Sequence, residues 1–538
     1  MSQFLSTKTT RIFLPILLSL ISFLVYLNTL HHQFVFDDFR IITNNPYIKD
    51  WKYFPALFNS DYFKISGELS YRPLVTLTYC IDHSIWNLNP FGYHLTNVII
   101  HLFNVLLLNC FIRRLTKNVR LAFVSCLLFC LHPILTETVN SVGFREDLLC
   151  ATFLLLTLFF YVKTNTAQNK ITCYVLALLS YCFSFLSKET AIATPFILFA
   201  ADWFFLRQGK QIKPKIAKYY PGFIAITGIY LLFRLLLFKS TEEHFTYPGN
   251  SVITNFFTMA KVAASYVKLL VFPVVLNADY HVTTELSVFR FPFLLSFGLL
   301  ISLGIVFLRL LKRQKELTFC MFWCFVTLLP VMNIIPIGNI MAERYLYLPS
   351  LGFCFFLGLL FIKINTPFRH FLRNVFATIL VFVLIFYFWV TIRHNKIWYD
   401  ENTLWTYMVN SASCSFNAHN NLGKVYFQEG KIGRAIEEYN VSLAKASEVN
   451  YKFPAAHYNL GLAYAEEANY DKSILEFRNA LQINNKDCES HNNLGIMYFK
   501  NGQTKLAVDE LKKAIELDPM NSAYRSNLSL MYKQINTP

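Results

Sequence analysis

Eleven predominantly apolar runs recur through the first 391 residues, at 11–30, 93–112, 121–137, 147–162, 171–187, 190–206, 219–238, 291–308, 317–336, 345–362 and 371–391. Each is near the roughly 17 to 25 residues that a helix needs to cross a bilayer. A soluble core has no place for so many, and in hydrocarbon a backbone satisfies its polar groups inside a helix or a closed barrel. The chain is 54% hydrophobic and only 15% charged, well outside the range of a soluble domain. The fold class expected is therefore all-α, a polytopic membrane bundle of about eleven spans.

Charge sets the orientation. The N-terminal tail and the connections at 113–120, 163–170, 207–218, 309–316 and 363–374 carry twenty basic residues against one acid, Glu316. The alternate connections at 31–92, 137–147, 188–189, 239–290 and 337–344 carry twelve basic and fifteen acidic residues. Basic short loops stay cytoplasmic, so the N-terminus is expected in the cytoplasm and the C-terminal region on the far side, in the endoplasmic reticulum lumen or the bacterial periplasm. One run, 256–276, breaks the alternation; with Lys261, Lys268 and Pro273 inside it, it is expected to lie at the far-side interface or to re-enter the membrane. The first run has no small-residue cleavage site before His31-His32-Gln33 and reads as an uncleaved signal anchor.

The net charge of +16 does not point to nucleic acid, because the basic residues are scattered through short connections and form no stripe among exposed aromatics. The twelve cysteines contain no C-x-x-C. Several, among them Cys126, Cys130, Cys173 and Cys182, lie in apolar runs as small hydrophobes. Neither a zinc site nor a disulfide framework is indicated.

From about residue 393 the sequence becomes polar and helix-forming. Leu422-Gly423, Leu460-Gly461 and Leu494-Gly495 recur with a tyrosine three residues after each glycine, and Leu528-Ser529 continues the series. The last two steps are 34 residues, the period of tetratricopeptide repeats. Small residues let the paired helices approach while aromatics fill the grooves, and the resulting superhelix offers a concave surface to a peptide or partner. The expected domains are 1–392 for the membrane part, with a first far-side loop at 31–92, and 393–538 for the repeats, at about 419–452, 457–490, 491–524 and a partial 525–538.

The chemistry gathers at one end of the bundle. Asp37-Asp38 stand in Phe34-Val35-Phe36-Asp37-Asp38-Phe39-Arg40 just after the first run, and a solvated helix end or N-cap explains such a pair as well as a ligand contact does. On the same side lie Arg72 in Tyr71-Arg72-Pro73, Glu137 after His132-Pro133, Gly143-Phe144-Arg145-Glu146-Asp147, Lys188-Glu189, Asp279-Tyr280 and Ala342-Glu343-Arg344-Tyr345. Ionisable groups at membrane depth are costly and mark function, although for each pair alone a local ion pair is as good an account. Together they describe a charged far-side cavity. Carboxylates for proton removal beside cations for a departing phosphate suit group transfer from a lipid phosphate, and guanidinium groups meet that need without a metal.

The succession V-F-D-D, N-N-P, S-Y-R-P-L, N-P-F-G-Y-H-L, H-P-I-L-T-E, G-F-R-E-D-L-L, S-K-E and A-E-R-Y-L-Y-L-P-S, followed by the repeats, resembles the transmembrane and tetratricopeptide-repeat O-mannosyltransferases and their bacterial relatives, glycosyltransferases of the GT-C fold. The resemblance covers essentially the whole chain. It implies that an acid of the first far-side loop, Asp37 or Asp38, is the catalytic base, with a preference for Asp38. It also implies that Arg72, Arg145, Lys188 and Arg344 serve the lipid phosphate, with Glu137, Glu146, Asp147, Glu189, Asp279 and Glu343 as further substrate-binding candidates. The donor implied is a polyprenyl (dolichyl) phosphate sugar, most simply mannose, with no cofactor and no divalent metal. The acceptor implied is a Ser or Thr hydroxyl of a protein bound by the repeats. The few repeats and short tail look more like the bacterial relatives. The rival readings are a non-catalytic scaffold in which the membrane part only anchors the repeats, and a transporter, for which duplicated halves and matched broken helices are missing.

Overall fold

The computed structural model describes residues 8–59, 62, 71–206, 213–237, 246–363, 370–411, 415–449 and 451–536. The connections expected at 207–218 and 363–374 lie partly outside them. The chain forms two compact units, Met1–Ala278 with Val282–Asp400, and Asp279–His281 with Glu401–Pro538. Among the described residues every regular element is helical.

In the first unit the helices are α1 (Lys8–Val25), α2 (Pro73–Trp86), α3 (Pro90–Thr116), α4 (Val119–Leu131), α5 (Thr136–Asn140), α6 (Arg145–Lys163), α7 (Lys170–Phe185), α8 (Thr194–Ala201), α9 (Lys213–Leu237), α10 (Val252–Val271), α11 (Phe291–Arg313), α12 (Lys315–Leu328), α13 (Tyr347–Lys363) and α14 (His370–Asn395). Local chemistry sets several of the starts. The side chains of Asn89, Asn118 and Asn169 accept amide hydrogens from Phe91, Leu121 and Thr172 at the heads of α3, α4 and α7, as N-caps do. The 121–137 run is broken: Val119–Leu131 and Pro133–Asn140 meet at 56°. Pro133 has no N–H to continue the helix, and His132 holds the bend by accepting from the Ile134 amide through Nδ1 and bonding the Leu270 carbonyl through Nε2 at 3.0 Å.

Helix α3 carries a polar seam through the apolar interior. Asn104 Nδ2 donates to the Leu148 carbonyl (2.9 Å) and the Tyr347 hydroxyl (3.1 Å), His101 Nδ1 meets the same hydroxyl at 2.9 Å, and Thr152 donates to Asn104 Oδ1 (2.7 Å). Such bonds tie helices together where apolar contact alone gives lipid no reason to leave.

Among the described residues six helices are long and apolar enough to cross a membrane, or seven if the bent pair counts as one span. The first run and the 171–187 run fall in the shorter helices Ile12–Val25 and Lys170–Phe185. The 147–162 run belongs to a helix that opens on three charged residues, and the 317–336 run to a 14-residue helix, Lys315–Leu328. Residues 252–271 form α10, capped by Ser251, with Val252, Ile253 and Phe256 exposed on one side.

The second unit contains α15 (Glu401–Val409) and then α16 (Phe416–Gln428), α17 (Ile432–Glu448), α18 (Pro454–Glu466), α19 (Tyr470–Ile483), α20 (Cys488–Lys500), α21 (Thr504–Leu517) and α22 (Ser522–Asn536). The phased glycine has a steric cause. A Cβ at Gly423 would stand 2.6 Å from the Tyr439 ring, at Gly461 2.9 Å from the Phe477 ring, and at Gly495 2.8 Å from the Leu511 side chain, so only glycine lets the second helix of each repeat close on the first. A second phased feature links the same helices: His419–Glu438, His457–Glu476 and His491–Glu510 pair at 2.7, 2.6 and 2.5 Å. The unit also includes the three-residue segment Asp279–His281, in which Asp279 accepts from the hydroxyl of Ser415, the residue that caps α16. Asp279, expected among the membrane-edge charges, therefore belongs to the repeat unit.

Candidate active site

The paired acids sit on a strained turn. Phe36 has φ 57°, a left-handed conformation that costs an L-residue about 1–2 kcal/mol, and it reverses the chain directly before Asp37. The two carboxylates consequently leave in different directions. Asp38 is fully buried: its Oδ2 accepts from the Val35 amide (3.1 Å), and its Oδ1 from the Gly143 amide (2.6 Å) and the Ser141 hydroxyl (3.3 Å). Burial pushes its carboxyl up to about 7 against the pull of those amides. Asp37 keeps 32% of its side chain exposed and pairs with Arg40 at 3.8 Å. Burial raises its carboxyl too, opposed by Arg40, Arg344 and Arg72.

The socket for Asp38 comes from the turn between α5 and α6. A Cβ on Gly143 would lie 3.1 Å from Asp38 Oδ1 and 3.4 Å from the Cβ of Asp37, so a side chain there would press on both acids. Phe144 closes the turn, with its ring edge-on to Phe36 (5.9 Å) and under the Arg344 guanidinium (4.0 Å).

Around this turn the charges form a connected field. Arg72 reaches Glu146 (3.1 Å) and Glu189 (3.7 Å), and Lys188 reaches Asp147 (2.6 Å) and Glu146 (3.5 Å). Glu137 binds Arg344 twice, through the guanidinium and the backbone amide, each at 2.6 Å. Lys188 and Arg344 both lie over the Tyr345 ring. Buried charges hold only when paired this closely. Most of these cations are deeply buried; Arg72 keeps 18% of its side chain exposed and Arg40 55%. Arg234, near the end of α9, adds a cation that acts on Glu189. Sequence reading passed over Arg40 and Arg234, and a lone arginine in the last turn of an apolar helix was the available signal for the second.

Three sequence-predicted residues take other places. Arg145 is fully buried and its guanidinium meets Asp82 at 2.6 Å, Asn97 Oδ1 at 2.7 Å, the Thr78 hydroxyl and Tyr93 carbonyl at 3.1 Å, and the Tyr79 ring at 4.7 Å. Held by Asp82 and three further acceptors, Arg145 ties α2, α3 and α6 together behind the turn. Glu343 accepts from the Asn277 amide and holds that segment. Asp279 lies in the other unit. Among the described residues no three His, Cys, Asp or Glu side chains are grouped to hold a metal ion.

The family described as dolichyl-phosphate-mannose-protein mannosyltransferase matches residues 73–239, and tetratricopeptide repeat families match 423–467, 454–487 and 488–521. The Caenorhabditis elegans protein O-mannosyl-transferase F38B6.6 is 27% identical over 452 residues, covering 81% of this chain and 61% of its own length. The mouse protein O-mannosyl-transferase TMTC3 is 27% identical, covering 77% of this chain and 49% of itself. The chain is similar to the transmembrane and tetratricopeptide-repeat O-mannosyltransferases. Human protein O-mannosyl-transferase TMTC1, at 26% identity, covers 78% of this chain and 54% of itself, so the chain spans about half to three-fifths of the curated relatives it matches. Among solved structures, the first TPR of Spaghetti (RPAP3) bound to an HSP90 peptide aligns with 23% of this chain and 94% of its own at 18% identity, with a TM-score of 0.22. The mannosyltransferase match takes in Glu137, Glu146, Asp147, Lys188, Glu189 and Arg234 but begins after Asp37, Asp38, Arg40 and Arg72.

Proposed function

We propose that the chain is an integral-membrane glycosyltransferase that moves a hexose, mannose by family, from a polyprenyl or dolichyl phosphate to Ser or Thr hydroxyls of proteins on the luminal or periplasmic face. The observation that carries this reading is the contrast between the two acids. Asp38 is locked in a socket of amides, whereas Asp37 stands partly exposed beside Arg40 within a field of buried, paired charges. Asp37 is therefore the catalytic base, in place of the preference for Asp38 drawn from sequence, and Asp38 is its anchor.

In the reaction, the Asp37 carboxylate takes the proton of the acceptor hydroxyl as its oxygen bonds to the anomeric carbon. The bond from that carbon to the phosphate oxygen breaks, and the polyprenyl phosphate leaves with the electron pair. Arg72, which is partly exposed, and the exposed Arg40 receive the phosphate, while Lys188, Arg344 and their carboxylates keep the surrounding potential in place. The repeats, tethered on the same side, raise the local concentration of the acceptor protein. The topology that goes with this reading has a cytoplasmic N-terminus and the repeats across the membrane.

The test is transfer from dolichyl phosphate mannose to a Ser/Thr-rich peptide by the purified full chain, compared with Asp37→Asn and Asp38→Asn. Asp37→Asn is expected to remove about two to four orders of magnitude of rate with the melting curve unchanged. Undiminished transfer in Asp37→Asn refutes the base assignment, and no transfer by the unaltered chain from any polyprenyl-phosphate sugar favours the scaffold reading.

A further inference from the structure

The Ser141–Gly143 turn that holds Asp38 is itself held from behind. The Tyr79 hydroxyl donates to the Val142 carbonyl at 2.8 Å. Asn97 Nδ2 donates to the carbonyls of Val139 (3.3 Å) and Ser141 (3.2 Å). The Asn97 amide is oriented in turn because its Oδ1 accepts from Arg145 Nε at 2.7 Å, and Arg145 is held by Asp82. Three carbonyls within four residues thus end on two side chains from α2 and α3. The stretch passes from the end of α5 into a three-residue 3-10 turn. There the Ser141 and Val142 carbonyls also accept the Phe144 and Arg145 amides, while Gly143 turns its amide to Asp38. The two side chains therefore add a second set of bonds that ties the turn to α2 and α3.

We propose that Tyr79 and Asn97 are positioning residues that fix the Ser141–Gly143 turn and, through its grip on Asp38, set where the Asp37 carboxylate stands. Neither touches Asp37. The path runs from two side chains to the backbone of the turn, from the Gly143 amide to Asp38, and across one peptide unit to Asp37. That peptide unit is next to Phe36, whose left-handed backbone persists only while its surroundings over-determine it. If the turn loosens, the strained residue is the first to relax, and the neighbouring acid moves with it.

The inference rests on Asp37 as the base, and the tests keep the two apart. Tyr79→Phe removes one oxygen and leaves the ring against Arg145, while Asn97→Asp keeps the acceptor for Arg145 and removes both donated bonds. In the full chain, with dolichyl phosphate mannose and a Ser/Thr-rich peptide, each is expected to lower kcat by roughly one to two orders of magnitude, the effect of misplacing a reacting group by about 1 Å, with both KM values unchanged. Combining either with Gly143→Ala, which presses on Asp38 directly, is expected to add little, because both act through one contact. A readout free of activity is the labelling of Asp38 by dicyclohexylcarbodiimide, mapped by mass spectrometry. It is expected to rise about fivefold in Tyr79→Phe, the shift in open population that loss of one net hydrogen bond produces. Unchanged kcat in both variants overturns the proposal, as do effects that multiply with Gly143→Ala, or unchanged Asp38 labelling. If Asp37→Asn transfers mannose normally, the base assignment fails, and the labelling alone then decides whether Tyr79 and Asn97 hold the socket.

Discussion

Asp38 makes a stability prediction with a definite sign. Its carboxyl is pushed up to about 7 in the fold by burial, against about 3.9 in an unfolded chain. A carboxyl raised on folding stabilises the native state fully below the unfolded value and loses that contribution as pH rises toward the folded one. At about 1.4 kcal/mol per unit, raising the pH from 5 to 8 removes about 3 kcal/mol of native stability through this group. Asp38→Asn has no such group to titrate, so its unfolding free energy is expected to fall by about 3 kcal/mol less over the same interval. The assay is unfolding of the full chain in detergent at both pH values, followed with a thiol-reactive dye that reports exposure of the buried Cys126, Cys130, Cys150 and Cys354. Asp37 titrates in both proteins and cancels in the comparison. Equal pH dependence in the two proteins, or a wild type that gains stability relative to Asp38→Asn as pH rises, refutes the account of Asp38 as a buried carboxyl.

Other consequences follow from single contacts. Glu137→Ala leaves the deeply buried Arg344 guanidinium without its carboxylate and is expected to cost about 3–5 kcal/mol in unfolding free energy; Glu137→Gln is expected to lie between it and the wild type. Gly461→Ala puts a methyl group 2.9 Å from the Phe477 ring and is expected to destabilise the repeats by about 1–3 kcal/mol, read as earlier loss of helical signal on heating. Mannose transfer is expected to suffer more from Arg72→Ala, which removes a partly exposed cation of the field, than from Arg40→Lys, which keeps the charge; KM for dolichyl phosphate mannose is the readout.

The repeats were legible because their packing rule is local and recurs: a glycine is forced wherever a bulky residue of the second helix crosses the first, and the period prints itself on the sequence. Apolar runs were legible for the same reason, one residue's hydropathy being independent of its partners. The site was legible as a set of charges and less so as an arrangement. Asp37 and Asp38 are indistinguishable in sequence, since what separates them is the left-handed backbone of Phe36 and an amide 105 residues away at Gly143. Arg145 looked like a phosphate ligand because nothing near it in sequence shows that Asp82 and Asn97 claim it first. Arg234 was hidden inside a run read only for length. The composition turns polar near residue 393, whereas the second compact unit takes up the chain at Glu401, and no pattern in Asp279-Tyr280-His281 marks them as belonging to the repeats.

That three-residue segment has a practical consequence. A protein whose repeats begin after residue 400 cannot be separated from its membrane part by one cut, because Ser415, at the head of the first repeat helix, loses the carboxylate of Asp279. Exchanging repeats between relatives, or expressing them alone, calls for two pieces of chain: the array and the short segment whose Asp279 accepts from its first cap.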